Sequence, residues 1–151
     1  MAKVENVVLT NMCMVYDGNK ILVQDRLNPN WPGITFPGGH IEQRESFVES
    51  TIREVYEETG LKVSNLQICG MKQWTQRDGS YRYIVIFYKP NAFTGELKSS
   101  DERKVFWINR NEISNYVVAE GFMEMLEVFE NENLSENYHW LEDGVWKLQN
   151  K

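Results

Sequence analysis

The sequence predicts an α/β fold, an α/β/α sandwich in which two helices flank a mixed β-sheet. Three observations carry this. Ser46 to Gly60 has the end signals and apolar stripe of a helix. Phe122, Met125, Leu126 and Phe129 recur at helical spacing within Ala119 to Asn131. β-rich apolar runs broken by Asp-Gly pairs fill much of the remaining chain. A helix with one apolar stripe must bury it, and the strands supply the surface. The 151 residues are expected to form a single domain, 1–151, long enough to bury about 70% of its unfolded surface.

In chain order, Val4 to Tyr16 is β-rich and ends at the turn Asp17-Gly18, followed by a strand Ile21 to Gln24. Leu27 to Ile34 holds two prolines and a glycine and reads as a loop. The first helix follows: Ser46 is its N-cap, Glu49 completes a capping box, and Gly60 suits the left-handed residue that ends it. Val48, Ile52, Val55 and Thr59 form the stripe expected to face the sheet. Leu66 to Gln76 and Tyr81 to Tyr88 form a hairpin across Asp78-Gly79, closed by Lys89-Pro90. Asn91 to Lys104 is polar and loop-like, Val105 to Ile108 is a short strand, and Asn109 or Asn111 starts a helical turn. After the second helix, whose Met and Phe residues read as core, Tyr138 to Leu148 is a terminal hairpin about Asp143-Gly144.

Composition narrows the function. Hydrophobic residues at 42% and charged residues at 25% are those of a globular protein. No apolar run is long enough for a transmembrane helix, and MAKVENVVLT lacks the apolar core of a secretion signal, so a cytoplasmic location is expected. Cys13 and Cys69 are then expected as reduced thiols. A net charge of −6 lacks the basic face that grips duplex DNA. It is compatible with a small polyphosphate if metal ions screen the charge.

The chemistry concentrates in GHIEQRESFVESTIREVYEETGL, Gly39 to Leu61. Glu54, Glu57 and Glu58 fall within an arc of about 100° on the helix side away from the stripe, with Arg53 beside them. Such a charge run is ordinarily a solvated face. Here Phe36-Pro37-Gly38-Gly39 precedes the helix, and glycines there let backbone approach a ligand. Clustered carboxylates are what hard cations such as Mg²⁺ require, together with substrate phosphates.

These residues resemble the Nudix box, G-x5-E-x7-R-E-U-x-E-E-x-G-U with U aliphatic. Gly39, Glu45, Arg53, Glu54, Val55, Glu57, Glu58, Gly60 and Leu61 fill every fixed position. The resemblance implies the Nudix fold and hydrolysis of a nucleoside diphosphate linked to X, dependent on Mg²⁺ or Mn²⁺. It implies Glu54, Glu57 and Glu58 as metal ligands, the Gly39 carbonyl as a further ligand, and a Glu45–Arg53 salt bridge that orients them. A fourth carboxylate often comes from a loop outside the box; Glu102 is preferred to its neighbour Asp101. Arg26 could meet phosphate, Trp31 and Phe36 could stack on a base, and Gly38 lets the backbone reach the ligand. His40 is not a fixed position of the box.

The chain around the box is similar to MutT-type nucleoside triphosphatases. An oxidised nucleoside triphosphate such as 8-oxo-dGTP, cleaved to monophosphate and pyrophosphate by a monomer or homodimer, is therefore the first expectation. Dinucleoside polyphosphates or nucleotide sugars come second, RNA 5′ ends are disfavoured by the acidic balance, and a non-catalytic nucleotide binder is the remaining class.

Overall fold

A computed structural model describes residues 1–151. One sheet has the order β1 (Val7–Cys13), β6 (Arg82–Gly95), β5 (Leu61–Thr75), β8 (Glu136–Glu142), β9 (Val145–Asn150). Its β1–β6 and β5–β8 pairs are parallel and the others antiparallel, so the sheet is mixed. A second sheet is built around β3 (Lys20–Asp25), which pairs antiparallel with β2 (Tyr16–Asp17), β4 (Ile34–Thr35) and β7 (Lys104–Asn109).

The alternation of strand side chains creates two cores. Met12, Ile21, Val23, Val85 and Phe87 pack with Phe122, Met125, Leu126 and Phe129 of helix α2 (Phe122–Glu130). Their chain neighbours Cys13, Leu22, Ile86 and Tyr88 pack with Val55 of helix α1 (Phe47–Thr59). The two helices therefore cover opposite faces, as the apolar patterns require.

Several boundaries differ from the sequence reading, each for a physical reason. β6 does not stop at Lys89-Pro90 but continues to Gly95, across much of the expected loop. Pro90 is tolerated because β1 ends opposite Tyr88, so its missing N–H points beyond the last β1 hydrogen bond. β5 starts at Leu61, directly after the left-handed Gly60 (φ 81°), and absorbs a register shift between Ile68 and Gly70. α2 begins only after Gly121, and the terminal hairpin and the short helical turn Arg110–Asn115 form where expected. In α1, Val48 is exposed, and the buried residues are Ser50, Thr51, Val55, Glu58 and Thr59. The buried face has thus turned toward the acidic side.

Cys13 is buried and Cys69 half-buried, both as free thiols. Burial pushes both up, Cys69 to about 11, so both stay protonated near neutral pH. No helix is long and apolar enough to cross a membrane.

Candidate active site

The box begins where residues 37 to 41 run alongside β1. The N–H groups of Asn11 and Cys13 donate to the Gly39 and Pro37 carbonyls at 2.9 Å, and Ile41 N–H to Leu9 at 3.0 Å. A side-chain relay fixes the same segment to α1. Gly39 N–H donates to Asn11 Oδ1 (3.1 Å), and Asn11 Nδ2 donates to Ser50 Oγ (3.0 Å). There is no room for side chains at this approach. A Cβ on Gly38 would strike the Asn11 carbonyl, and one on Gly39 would strike the Glu54 carboxylate. Ser46 caps α1 by accepting from Glu49 N–H at 3.1 Å, one half of the expected capping box.

Arg53 organises the carboxylates. Its Nε and Nη2 donate to Glu45 at 2.7 and 2.9 Å, and its Nη1 donates to Glu54 (3.0 Å) and Glu57 (3.2 Å). Nη2 also donates to the His40 carbonyl at 3.1 Å, and His40 is exposed at the rim of the neighbouring cleft. The Arg53 guanidinium holds the Glu45 carboxyl below the usual range, and the carboxylates raise Arg53 in turn. The Glu45–Arg53 bridge that the box implied is therefore present.

The three helix carboxylates occupy three different environments. The Glu57 side chain is 55% exposed, that of Glu54 15% and that of Glu58 8%. A solvated acidic face does not describe this arrangement. Glu58 accepts from Gly38 N–H (3.1 Å) and pairs with Arg103 Nη1 (3.1 Å), so both its oxygens are engaged. Burial raises Glu58, opposed by those two partners and by Arg26 and the Gln24 amide. Gln24 is wholly buried beside it, close enough to act on the Glu58 carboxyl but outside good hydrogen-bond geometry. Glu54 Oε2 and Glu57 Oε1 are free, and the Gly39 carbonyl has accepted one hydrogen bond. No three acidic, imidazole or thiol groups converge on one point. The oxygen-only donor set, with free oxygens on Glu54 and Glu57 beside a backbone carbonyl, still fits a hard divalent cation.

Gly39, Glu54 and Glu58 border a cleft of about 550 Å³ that also takes in Arg26, Trp31, Lys72, Trp74 and Arg103, while Glu57 is not part of its wall. It adjoins a second cavity of about 390 Å³ through shared walls of Trp31, Lys72 and Trp74. Arg26 lies over the Trp31 ring (5.2 Å), Lys72 Nζ lies over Trp74 (5.3 Å), and Trp74 stacks on Tyr83 at 4.5 Å. Gly38, Gly39, Glu54 and Glu58 line the first cleft. Two expectations change. Phe36 is fully buried against Phe122 (4.9 Å) and Phe129 (5.1 Å), so its ring belongs to the core even where it backs the cleft wall. Glu102 and Asp101 are exposed at a tight turn closed by the Ser100–Arg103 bridge, and neither joins the helix carboxylates. The residue of that loop that enters the cleft is Arg103, opposite in charge to the one expected. Sequence reasoning missed Arg103, Asn11, Lys72 and Trp74. Only Lys72 and Trp74 left a trace, as alternating residues of a strand already identified.

His139 sits at the far cavity, with Nε2 and Asn137 Oδ1 2.7 Å apart. Burial, aided by the Lys72 charge, pushes it down from 6.5 to about 4. A folded-state value below the unfolded one means that the unfolded chain binds the extra proton first. Stability is therefore whole above about pH 6.5 and falls as the pH drops toward 4, by about 2 kcal/mol after allowance for solvent screening. An NMR titration of the imidazole should show the low midpoint, and urea melts of His139→Gln should lose this part of the acid sensitivity.

Comparison with known proteins agrees with the site. A model of the NUDIX domain family matches residues 8–133. The chain belongs to the Nudix family and is an enzyme of its pyrophosphohydrolase class. It is 30% identical over 113 residues to the uncharacterized Nudix hydrolase YvcI of Bacillus subtilis, covering 72% of this chain and 70% of that protein. It is 36% identical over 87 residues to the ADP-ribose pyrophosphatase of Methanocaldococcus jannaschii, covering 57% of this chain and 52% of that protein. Among solved structures, the mutator MutT protein of Bacillus halodurans superposes with a TM-score of 0.76 at 24% identity, covering 94% of this chain and 97% of that one. This last likeness concerns the fold.

Proposed function

We propose that the whole chain, 1–151, is one catalytic domain. It hydrolyses the phosphoanhydride of a nucleoside triphosphate, with oxidised guanine nucleotides such as 8-oxo-dGTP foremost, to a monophosphate and pyrophosphate. The carrying observation is Arg53, which ties Glu45, Glu54 and Glu57 into one array whose Glu54 reaches the cleft beside Gly39.

Glu54, Glu57 and Glu58, with the Gly39 carbonyl, would hold Mg²⁺ or Mn²⁺. The cation supplies charge neutralisation for the polyphosphate and activation of water. Arg53 keeps the Glu54 and Glu57 carboxylates aimed, and Glu45 keeps Arg53 in place. The attacking water gives its proton to a carboxylate of this array and its oxygen bonds to phosphorus as the bond bridging the α- and β-phosphates breaks, releasing monophosphate and pyrophosphate. Arg26 faces the phosphates, and Gly38 lets the backbone come close to them. Trp31 and Trp74 wall the base. Lys72 offers only donors, and Glu120 and Glu124 in the adjoining cavity offer acceptors. A guanine edge pairs acceptor oxygen and nitrogen with amine donors, and so complements that set. The protein would work on free nucleotides in the cytoplasm as a monomer or homodimer, without duplex DNA.

A second reading is a dinucleoside polyphosphate or nucleotide-sugar substrate, and the M. jannaschii relative's name, an ADP-ribose pyrophosphatase, favours the nucleotide sugar. Pyrophosphate and phosphate release across dGTP, 8-oxo-dGTP, ADP-ribose and diadenosine polyphosphates separates the two. EDTA should abolish turnover and Mg²⁺ or Mn²⁺ restore it. Full activity after exhaustive chelation would exclude the carboxylate mechanism, and no release from any nucleotide would favour a binding protein.

A further inference from the structure

Arg103 lines the cleft, and the box chemistry does not use it. Glu58 is nearly buried and its immediate countercharge is Arg103, at 3.1 Å. The Arg103 side chain is itself 28% exposed and lines the cleft. A buried carboxylate needs a partner, because an uncompensated charge in the interior is costly. Yet the surroundings of Glu58 are not fully satisfied. The Gln24 amide lies beside it, wholly buried and close enough to favour its charged form, yet without a well-formed hydrogen bond. Buried polar groups left without partners are rare. Here they mark an arrangement that a different occupancy of the site would complete.

We propose that Arg103 is a placeholder for a divalent cation at Glu58 and, once displaced, a positioning ligand for substrate phosphate. The inference rests on the reading of the helix carboxylates as cation ligands. Cation and guanidinium compete for the same carboxylate, so each weakens the other's hold. When the cation takes over the charge of Glu58, the guanidinium is freed on the cleft wall it already lines, on the same cleft as Arg26. A planar guanidinium there can bind phosphate oxygens in bidentate fashion. The chain is thereby spared a bare buried carboxylate before the cation arrives, and its phosphate-binding arginine becomes available only once the site is charged.

The test uses opposite signs on two readouts. Binding of Mn²⁺ without nucleotide, followed by the EPR signal of the free ion, should be about five- to tenfold tighter for Arg103→Gln than for wild type, because the competitor is gone. The same variant should show a KM for its nucleotide raised about tenfold or more, with kcat changed less. Arg103→Lys, which keeps the charge without the fork, should lie between the two on both measures. A merely structural arginine would weaken both, with a lowered melting temperature that Mn²⁺ does not recover; that result overturns the proposal. Normal Mn²⁺ binding by wild type with Arg103→Gln no tighter also overturns it, and leaves the cation site standing. Absence of Mn²⁺ binding by wild type, with full activity in EDTA, removes the cation reading and this inference with it.

Discussion

Glu57→Gln should lower kcat/KM by about 10²–10⁴-fold while leaving the melting temperature unchanged or slightly raised. Glu57 is the most exposed of the three helix carboxylates, and its one contact is the 3.2 Å bond from Arg53. An exposed pair of this kind contributes little to stability, about 0.3–0.5 kcal/mol for an i,i+4 arrangement. The substitution also removes one negative charge from a crowded group. The amide keeps the shape and loses the anionic oxygen that a cation would need. Steady-state kinetics beside a thermal melt separates the outcomes. An unchanged rate would return Glu57 to an ordinary solvated position, and a large fall in melting temperature would make it structural.

The two glycines before the helix should fail differently. In Gly38→Ala the new methyl meets the backbone of Asn11 and Met12, part of a strand held in the sheet by β6. Backbone cannot swing aside, so the loss should be one of stability, about 1–3 kcal/mol or more. In Gly39→Ala the methyl meets the end of the Glu54 side chain. That carboxylate can move, at the expense of its bond to Arg53 and its place beside the Gly39 carbonyl. We therefore expect a nearly native melting curve and a rate lower by about 10²-fold or more. Equal stability losses for both variants would show that Glu54 is as fixed as the strand.

The site was legible where spacing along one helix determines geometry. Arg53 must lie one turn before Glu57, and Gly60 must end the helix, whatever the rest of the chain does. Glu58 shows where that reasoning ends. Its helical position is fixed, but its burial depends on β3 and on the loop before β7, which no local pattern specifies. The Glu102 expectation failed for the same reason. A tight turn sends neighbouring side chains in different directions, and a single-residue change of register exchanged a carboxylate for a guanidinium. Among the elements, the two helices and both hairpins were readable from apolar period and turn residues. β6 was cut short because Pro90 is a strand terminator unless its empty side faces no partner, and that depends on where a strand far away in sequence happens to end.

The parallel pairing of β1 with β6, from Val7↔Arg82 to Cys13↔Tyr88, has a consequence for the order of events on the ribosome. The entire Nudix box lies between these two strands, so it emerges before the partner that β1 requires. Closing so distant a contact costs loop entropy ahead of any gain from pairing, and chains dominated by such contacts fold slowly. During that interval the new helix carries its carboxylates without Arg103, which follows β6 in the chain. It is a charged, water-compatible segment, and competence for chemistry arrives late, when β6 docks and the loop after it delivers its guanidinium to Glu58.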